Sequence, residues 1–166
     1  MKRILKNLIF ITLIFATLIT AASCGGDMKK YSENGLNFTL PKDMKKLSVS
    51  YADLCYGNKD FTQFFVYFYS KDSLLTDLAL EKEATVKEYA DWFVGMNGYT
   101  NVEENYDEAN KVIVLKYIYE EENDFYCDYI TRNEHALFHV TMCCKAELKD
   151  KYDPMFDEWM KYISLS

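Results

Sequence analysis

The 166-residue sequence lacks an excess of basic residues: 19 Lys and Arg stand against 26 Asp and Glu, for a formal net charge of −7. Domains that bind nucleic acid usually carry a basic patch or stripe. Docking on anionic lipid by charge likewise needs clusters of Lys and Arg. The composition therefore argues against nucleic acid as a partner and against a purely electrostatic attachment to a membrane.

Short motifs of several enzyme classes are also missing from the sequence. It contains no Gly-x-Ser-x-Gly, no phosphate-binding loop, no His-Glu-x-x-His and no Cys-x-x-Cys. Acidic residues cluster at 103–108 and 120–124, but the Asp-x-Asp-x-Asp-Gly loop of calcium sites is absent, so we expect solvated turns there. We predict a chain that is not an enzyme and has no cofactor and no resident metal.

The N-terminal residues have the pattern of an export signal. Lys2, Arg3 and Lys6 precede an apolar run over residues 8–20, which is followed by small residues. A basic start, a short apolar segment and a small-residue exit are typical of secretory signal peptides. The apolar run is shorter than the roughly 20 residues that span a bilayer.

Ala21-Ala22-Ser23-Cys24 resembles the lipobox of bacterial lipoproteins. The resemblance implies that Cys24 carries a diacylglyceryl group and becomes the mature N-terminus. Two acyl chains hold a protein stably on a membrane, whereas one chain is marginal. The alternatives are an ordinary signal peptide with a chance cysteine, or an uncleaved membrane anchor.

This interpretation divides the chain into a signal peptide (1–23), a lipid-anchored tether (24–30) and a single domain (31–166). Removing 23 of the 166 residues leaves 143, which is enough for one domain with a core of its own. The three basic residues of the leader are lost with it, so the net charge changes from −7 to −10. We expect the mature protein on the extracytoplasmic face of the cell membrane.

The remainder of the chain alternates strand and helix patterns. Strands are predicted over residues 31–40, with a turn at Glu33-Asn34-Gly35, and over 47–56, 61–70, 99–106, 111–120, 124–132 and 135–144. Helices are predicted to begin at Ser73, at the Thr85–Glu88 capping box and at Asp153, with Pro154 in the first helical position. Residues 61–70 are apolar on both sides, as in a central strand covered on both faces. The fold class is therefore α+β: an antiparallel sheet with helices packed on both faces.

The order of these elements resembles that of PsbP-like domains. Residues 31–41, reading Tyr-Ser-Glu-Asn-Gly-Leu-Asn-Phe-Thr-Leu-Pro, look like the opening strands, and residues 85–98, the strand meander and residues 152–164 follow in the same order. The resemblance implies an α/β/α sandwich, similar to that of small lipoproteins of anaerobic Firmicutes. Members of the fold include photosystem accessory subunits and a Ran-binding nuclear factor, which are mostly binding or assembly proteins. No functional residue carries over.

One group of polar residues is a candidate site. If Asn133-Glu134 is a two-residue turn, Asp128 lies opposite His139 and Asp124 opposite Cys143, so that His135, His139, Asp128 and Cys143 line one face. A metal or thiol site is one interpretation; a cross-strand polar pair beside a half-buried cysteine is the other. We favour the second, because His135 and His139 would be some 13 Å apart along a strand.

The cysteines and tyrosines leave further alternatives. Cys55, Cys127, Cys143 and Cys144 permit three pairings; a Cys127–Cys144 bridge is one hypothesis and free thiols packed in the core are another. The 14 tyrosines fall mostly in strands and are predicted as core, although exposed aromatics also bind sugars or peptides.

These patterns favour a lipid-anchored, non-catalytic binding or accessory module of the cell envelope. Its partner would be another envelope protein or an extracellular ligand. An enzyme or metal protein that uses Asp128, His139 and Cys143 is the first alternative, and a purely structural envelope component is the second.

Overall fold

A computed structural model describes residues 27–60 and 62–166. The predicted signal peptide and Cys24 lie outside these residues. Three helices and ten strands are described, in the order β1 (Met28–Glu33), β2 (Leu36–Pro41), β3 (Lys45–Lys46), β4 (Leu54–Gly57), β5 (Gln63–Ser70), α1 (Lys71–Leu78), α2 (Val86–Asn97), β6 (Glu103–Asp107), β7 (Val112–Tyr119), β8 (Asp124–Arg132), β9 (Ala136–Lys145), α3 (Lys149–Met160) and β10 (Ser164–Leu165). Strand β1 begins inside the segment predicted as tether.

Seven strands form one antiparallel sheet in the order β3-β4-β5-β9-β8-β7-β6. Strand β9 lies at its centre, and nine of its ten residues are buried. The neighbouring β5 brings apolar side chains to both faces, as its sequence predicts. A sheet with such central strands is stable only when both faces are covered.

Helices cover both faces, which confirms the predicted fold class. Helices α1 and α2 pack on one face through Leu74, Val86 and Tyr89. Helix α3 packs on the other through Phe156 and Trp159. The first hairpin forms a sheet of its own, in the order β1-β2-β10, and this small sheet covers the α3 side together with the helix.

Two predicted helix starts are wrong. Helix α1 begins at Lys71, because the side chain of Ser70, and not that of Ser73, accepts the capping hydrogen bond from the Ser73 N–H at 3.1 Å. Helix α3 begins at Lys149, so that Pro154 lies inside it. The earlier start places Tyr152 on the apolar stripe of α3, where its ring lies 5.9 Å from that of Phe156.

Asp153 was predicted to cap α3 but binds a neighbouring strand instead. Its carboxylate lies 2.6 Å from the Lys116 ammonium of β7, which also contacts Asp157 at 2.6 Å. The predicted strand over 47–56 is reduced to β4, and the one over 99–106 begins only at Glu103. Among the described helices, none has the length and hydropathy needed to cross a bilayer.

The limits of α2 agree with the sequence. Thr85 Oγ1 accepts a hydrogen bond from the Glu88 N–H at 3.1 Å, and the Glu88 carboxylate accepts one from the Thr85 N–H at 2.7 Å. Gly98 ends the helix with φ +66°, a left-handed conformation that favours glycine. These two caps fix which residues of α2 face the sheet.

The two glycines of this region make a matched pair. We expect Gly98→Ala to lower the free energy of unfolding by about 1 kcal/mol, because alanine is strained at positive φ. We expect Gly95→Ala, inside α2, to raise the free energy of unfolding by roughly 0.5–1 kcal/mol, because alanine favours the helix more than glycine does. A Cβ at this position meets no atom within 4 Å, so no clash opposes the gain. Urea unfolding measures both changes; a stability that is unaltered or raised in Gly98→Ala would contradict the cap.

Candidate functional site

Helices α1 and α2 do not cover their whole face of the sheet. Beyond the C-terminal half of α2 lies a cavity of about 550 Å³, which we call the tyrosine pocket. Phe65, Trp92 and Phe93 line it together with eight of the 14 tyrosines: Tyr51, Tyr67, Tyr69, Tyr89, Tyr99, Tyr117, Tyr119 and Tyr126. Most of these side chains are only half-buried, so the tyrosines are not simply core residues as the sequence suggested.

The periodicity of the strands places these side chains. Residues two apart share a face of a strand, so alternate residues of β5 and of β7 point to the same side. The Tyr117 ring stacks on those of Tyr99 and Tyr126, with centroids 4.4 Å and 5.4 Å away. Stacked aromatic rings restrain one another, so this wall of the pocket is preformed.

A hydrogen-bonded group of five side chains lies at the floor of the pocket: Tyr89, Tyr117, Asp128, His139 and Thr141, here called the polar cluster. The Asp128 carboxylate is fully buried and lies 3.1 Å from Nε2 of the buried His139. It accepts hydrogen bonds from Tyr117 Oη at 2.9 Å and Thr141 Oγ1 at 2.6 Å. The Tyr89 hydroxyl lies 2.9 Å from Nδ1 of His139.

Asp128 and His139 lie on the same face of the sheet, as predicted, but they are not directly opposite each other, so the predicted register is wrong. Strand β8 pairs with β9 so that Asp128 is opposite Thr141, and Asp124 is opposite Lys145 instead of Cys143. Asp128 and His139 are therefore diagonal neighbours on the same face. Their contact survives the change of register because His139 is two residues from Thr141.

The register differs because the turn between β8 and β9 is longer than predicted. The Asn133 side chain accepts hydrogen bonds from the N–H groups of His135 and Ala136, both at 2.9 Å. Because Arg132 pairs with Leu137, four residues connect these paired positions instead of the predicted two, and the register shifts by two residues. His135 is thus exposed in the turn, 3.3 Å from Glu134, and takes no part in the polar cluster.

Cys143 shares the face of Asp128 and His139 but not their contacts. It lies four residues along β9 from His139, or roughly 13 Å. Its thiol donates to Gln63 Oε1 at 3.8 Å and packs with Cys55 and Phe65. Burial raises the pKa of this thiol well above its usual range, which disfavours the nucleophilic thiolate.

The four cysteines of the described chain are free thiols in the structure. Cys127 is opposite Met142 and Cys144 is opposite Phe125, so these two cysteines are diagonal neighbours. Of the two hypotheses, the structure has the free thiols and not the Cys127–Cys144 bridge. Burial raises the pKa of Cys144 to about 11. All four thiols are buried and pack as small apolar side chains.

The polar cluster does not have the geometry of a nucleophilic triad. In a triad, the carboxylate and the nucleophile bind opposite nitrogens of the imidazole. Here Asp128 and Thr141 both lie on the Nε2 side, at 3.1 Å and 3.2 Å, and Tyr89 occupies the Nδ1 side. Burial raises the pKa of Tyr89 and of Tyr117 far above the usual range, so both hydroxyls stay protonated. The arrangement holds His139 in place.

Within residues 27–60 and 62–166, no three His, Cys, Asp or Glu side chains are grouped as metal ligands. Of the predicted candidates, the structure brings together Asp128 and His139 and separates them from Cys143 and His135.

No model of a known protein family matches the sequence, and no curated protein matches it. Among solved structures, the chain is similar to cyanobacterial PsbP (CyanoP) from Synechocystis sp. PCC 6803, with a TM-score of 0.59 and 17% identity over 87% of this chain and 98% of that one. A crystal structure from Bacteroides thetaiotaomicron VPI-5482 is similar with a TM-score of 0.48 and 10% identity, over 85% of this chain and 48% of that one. The PsbP-like fold expected from the order of the elements is confirmed.

The hydrogen bond from Tyr117 to the buried Asp128 carboxylate should contribute to the free energy of unfolding. Tyr117→Phe removes a donor to Asp128, and we expect it to lower the free energy of unfolding by roughly 1–3 kcal/mol. Tyr106→Phe is the control, because that residue is 40% exposed on the edge strand β6; its effect should stay within about 0.5 kcal/mol. Equal losses in the two variants, measured by urea unfolding, would contradict the assigned hydrogen bond.

Proposed function

We propose that this chain is a lipid-anchored lipoprotein on the extracytoplasmic face of the cell membrane and acts there as a non-catalytic binding module. The proposed binding role rests on the tyrosine pocket. Its volume of about 550 Å³ is within the range of roughly 300–1,000 Å³ typical of ligand sites. Its ligand would come from another envelope protein or from the extracellular medium.

The construction of the pocket favours binding. Tyrosine and tryptophan offer a large contact area and lose little conformational entropy when a ligand binds. The polar cluster fixes Tyr89 and Tyr117 from below, and Tyr99 and Tyr126 are restrained by stacking. A site that is ordered before the ligand arrives avoids part of the cost of binding.

The polar cluster and the thiols favour a role without catalysis. Both ring nitrogens of His139 are occupied by buried partners, and the Cys143 thiol is held protonated by burial. A general base must lie within hydrogen-bond reach of the proton that it abstracts, and here both ring nitrogens contact buried side chains of the protein itself. The alternative of an enzyme built on Asp128, His139 and Cys143 is therefore the weaker one.

The anchor is supported by the sequence of residues 1–24 and by the charge of the domain. A body of net charge −10 is repelled by anionic lipid, so attachment would require the acyl chains of Cys24. Strand β1 begins at Met28, four residues after Cys24. An extended chain of that length reaches about 14 Å, which would hold the domain close to the bilayer. The resemblance to small lipoproteins of anaerobic Firmicutes agrees with this location.

The anchor is tested by metabolic labelling with a fatty-acid analogue. We expect the wild-type chain to carry the label, to lack residues 1–23 and to fractionate with membranes. Cys24→Ala should carry no label and should lose most of its membrane association, while Cys55→Ala should label as the wild type does. An unlabelled wild-type chain in the cytosol that retains Met1 would refute the anchor.

The binding role is tested by photo-crosslinking on intact cells. Tyr51, at the rim of the pocket and 60% exposed, is replaced by p-benzoylphenylalanine; Tyr106, 40% exposed on the edge strand β6 and outside the pocket, is the matched control. We expect a discrete adduct of constant mass from position 51 and none of that mass from position 106. A structural envelope component without a ligand would give no adduct specific to position 51.

A further inference from the structure

We propose that the tyrosine pocket binds an organic cation, namely a ligand that carries an alkylated ammonium group. This inference rests on the proposed function of the pocket as a ligand site and names the chemistry of its occupant.

The lining of the pocket is mainly aromatic. Eleven of the residues that line the pocket are Tyr, Phe or Trp, and Trp92, Tyr67, Tyr99 and Tyr126 are half-buried at its wall. The face of an aromatic ring carries partial negative charge, and a cation within about 6 Å of its centroid is attracted to it. Several rings around one cavity form the kind of cage that recognises quaternary ammonium groups.

The charge of the lining is the second observation. Glu122 and Asp124 lie at the rim, and the described lining includes neither Lys nor Arg. At the rim Asp124 pairs with Lys145 at 2.7 Å, and the Lys145 ammonium also lies 3.5 Å from the Glu122 carbonyl oxygen. Among the described residues, the Glu122 carboxylate itself accepts a hydrogen bond only from the Tyr126 hydroxyl, at 3.0 Å. Lys145 is engaged by Asp124 and lies outside the lining, so an anionic ligand would be repelled by the Glu122 carboxylate, whereas an ammonium group would be attracted by it.

The polar cluster forms the floor, where Asp128 lies 3.1 Å from His139. The pocket thus combines the Glu122 carboxylate at its rim with aromatic faces along its wall.

A second cavity shows that this composition is not general to the protein. The cavity of about 570 Å³ beside α3 contains Lys42 and Lys151 among its acidic residues, and the Lys151 ammonium lies 3.0 Å from Asp60. Four acidic and two basic side chains line it, and only three of its lining residues are aromatic, against eleven in the tyrosine pocket. The tyrosine pocket is the better match for a cation.

Calorimetric titration of the full chain, purified from membranes in a maltoside detergent, tests the proposal. The probes are choline, tetramethylammonium and 3,3-dimethyl-1-butanol, the neutral analogue of choline in which carbon replaces the ammonium nitrogen. Ionic strength is held constant with NaCl. We expect both cations to bind and choline to bind at least tenfold more tightly than the neutral alcohol. Equal affinity for the alcohol, or no binding of either cation at 10 mM, would overturn the proposal.

Variants locate the binding site. Glu122→Gln and Tyr99→Leu should each weaken choline binding at least threefold and leave the affinity of the neutral alcohol nearly unchanged. Glu147→Gln and Tyr106→Leu, at exposed positions away from the pocket, should bind choline as the wild type does. Glu122 is exposed, so its variant remains informative even if Tyr99→Leu folds poorly. Choline affinity unchanged in Glu122→Gln and in a folded Tyr99→Leu would also overturn the proposal.

The choline titration and the crosslinking experiment together distinguish a failure of cation binding from a failure of the proposed function. A failed choline titration with a retained adduct from position 51 would reject the cation and leave the binding role intact. Failure of both experiments would reject the binding role itself.

Discussion

The burial of β9 on both faces is the constraint on which the rest of the structure depends. Nine of its ten residues are buried, so the chain must supply a layer on each side of the sheet. Helix α3 and the small sheet form one layer, and α1 and α2 form the other. The same burial explains the polar cluster, because His139 and Thr141 of β9 would each lose hydrogen bonds with water unless partners such as Asp128 replaced them.

The site follows from a mismatch between the sheet and its helical cover. Helix α2 has twelve residues and ends at Gly98, whereas the sheet beneath it has seven strands. Ile113 and Leu115 lie under the helices and are fully buried, but Tyr119, farther along the same face of β7, lies at the open pocket. Tyrosine suits this boundary, because its ring packs on apolar neighbours while its hydroxyl reaches a polar partner. The Tyr119 hydroxyl donates to Glu121 at 2.7 Å.

Local signals in the sequence were sufficient for the fold class, for the capping box of α2 and for the face shared by Asp128 and His139. The register of β8 and β9 was not predictable from strand patterns, because it depends on two hydrogen bonds to the Asn133 side chain. The start of α3 was not predictable either, because the helix begins at Lys149 without a side-chain cap, and Asp153 instead contacts Lys116 of β7. The pocket was not predicted, because the alternation of aromatic residues such as Tyr67 and Tyr69 is the same whether or not a helix covers them. The available signal was the number of tyrosines on one face of β5 and β7.

The small sheet joins segments from opposite ends of the described chain. Strand β10 pairs with β2, and the Ser166 N–H donates to the Gly35 carbonyl at 2.9 Å. A chain is synthesised from its N-terminus, and β10 follows the other described strands, so β2 gains its second neighbour late. The small sheet therefore gains its third strand only after all seven strands of the large sheet have been synthesised.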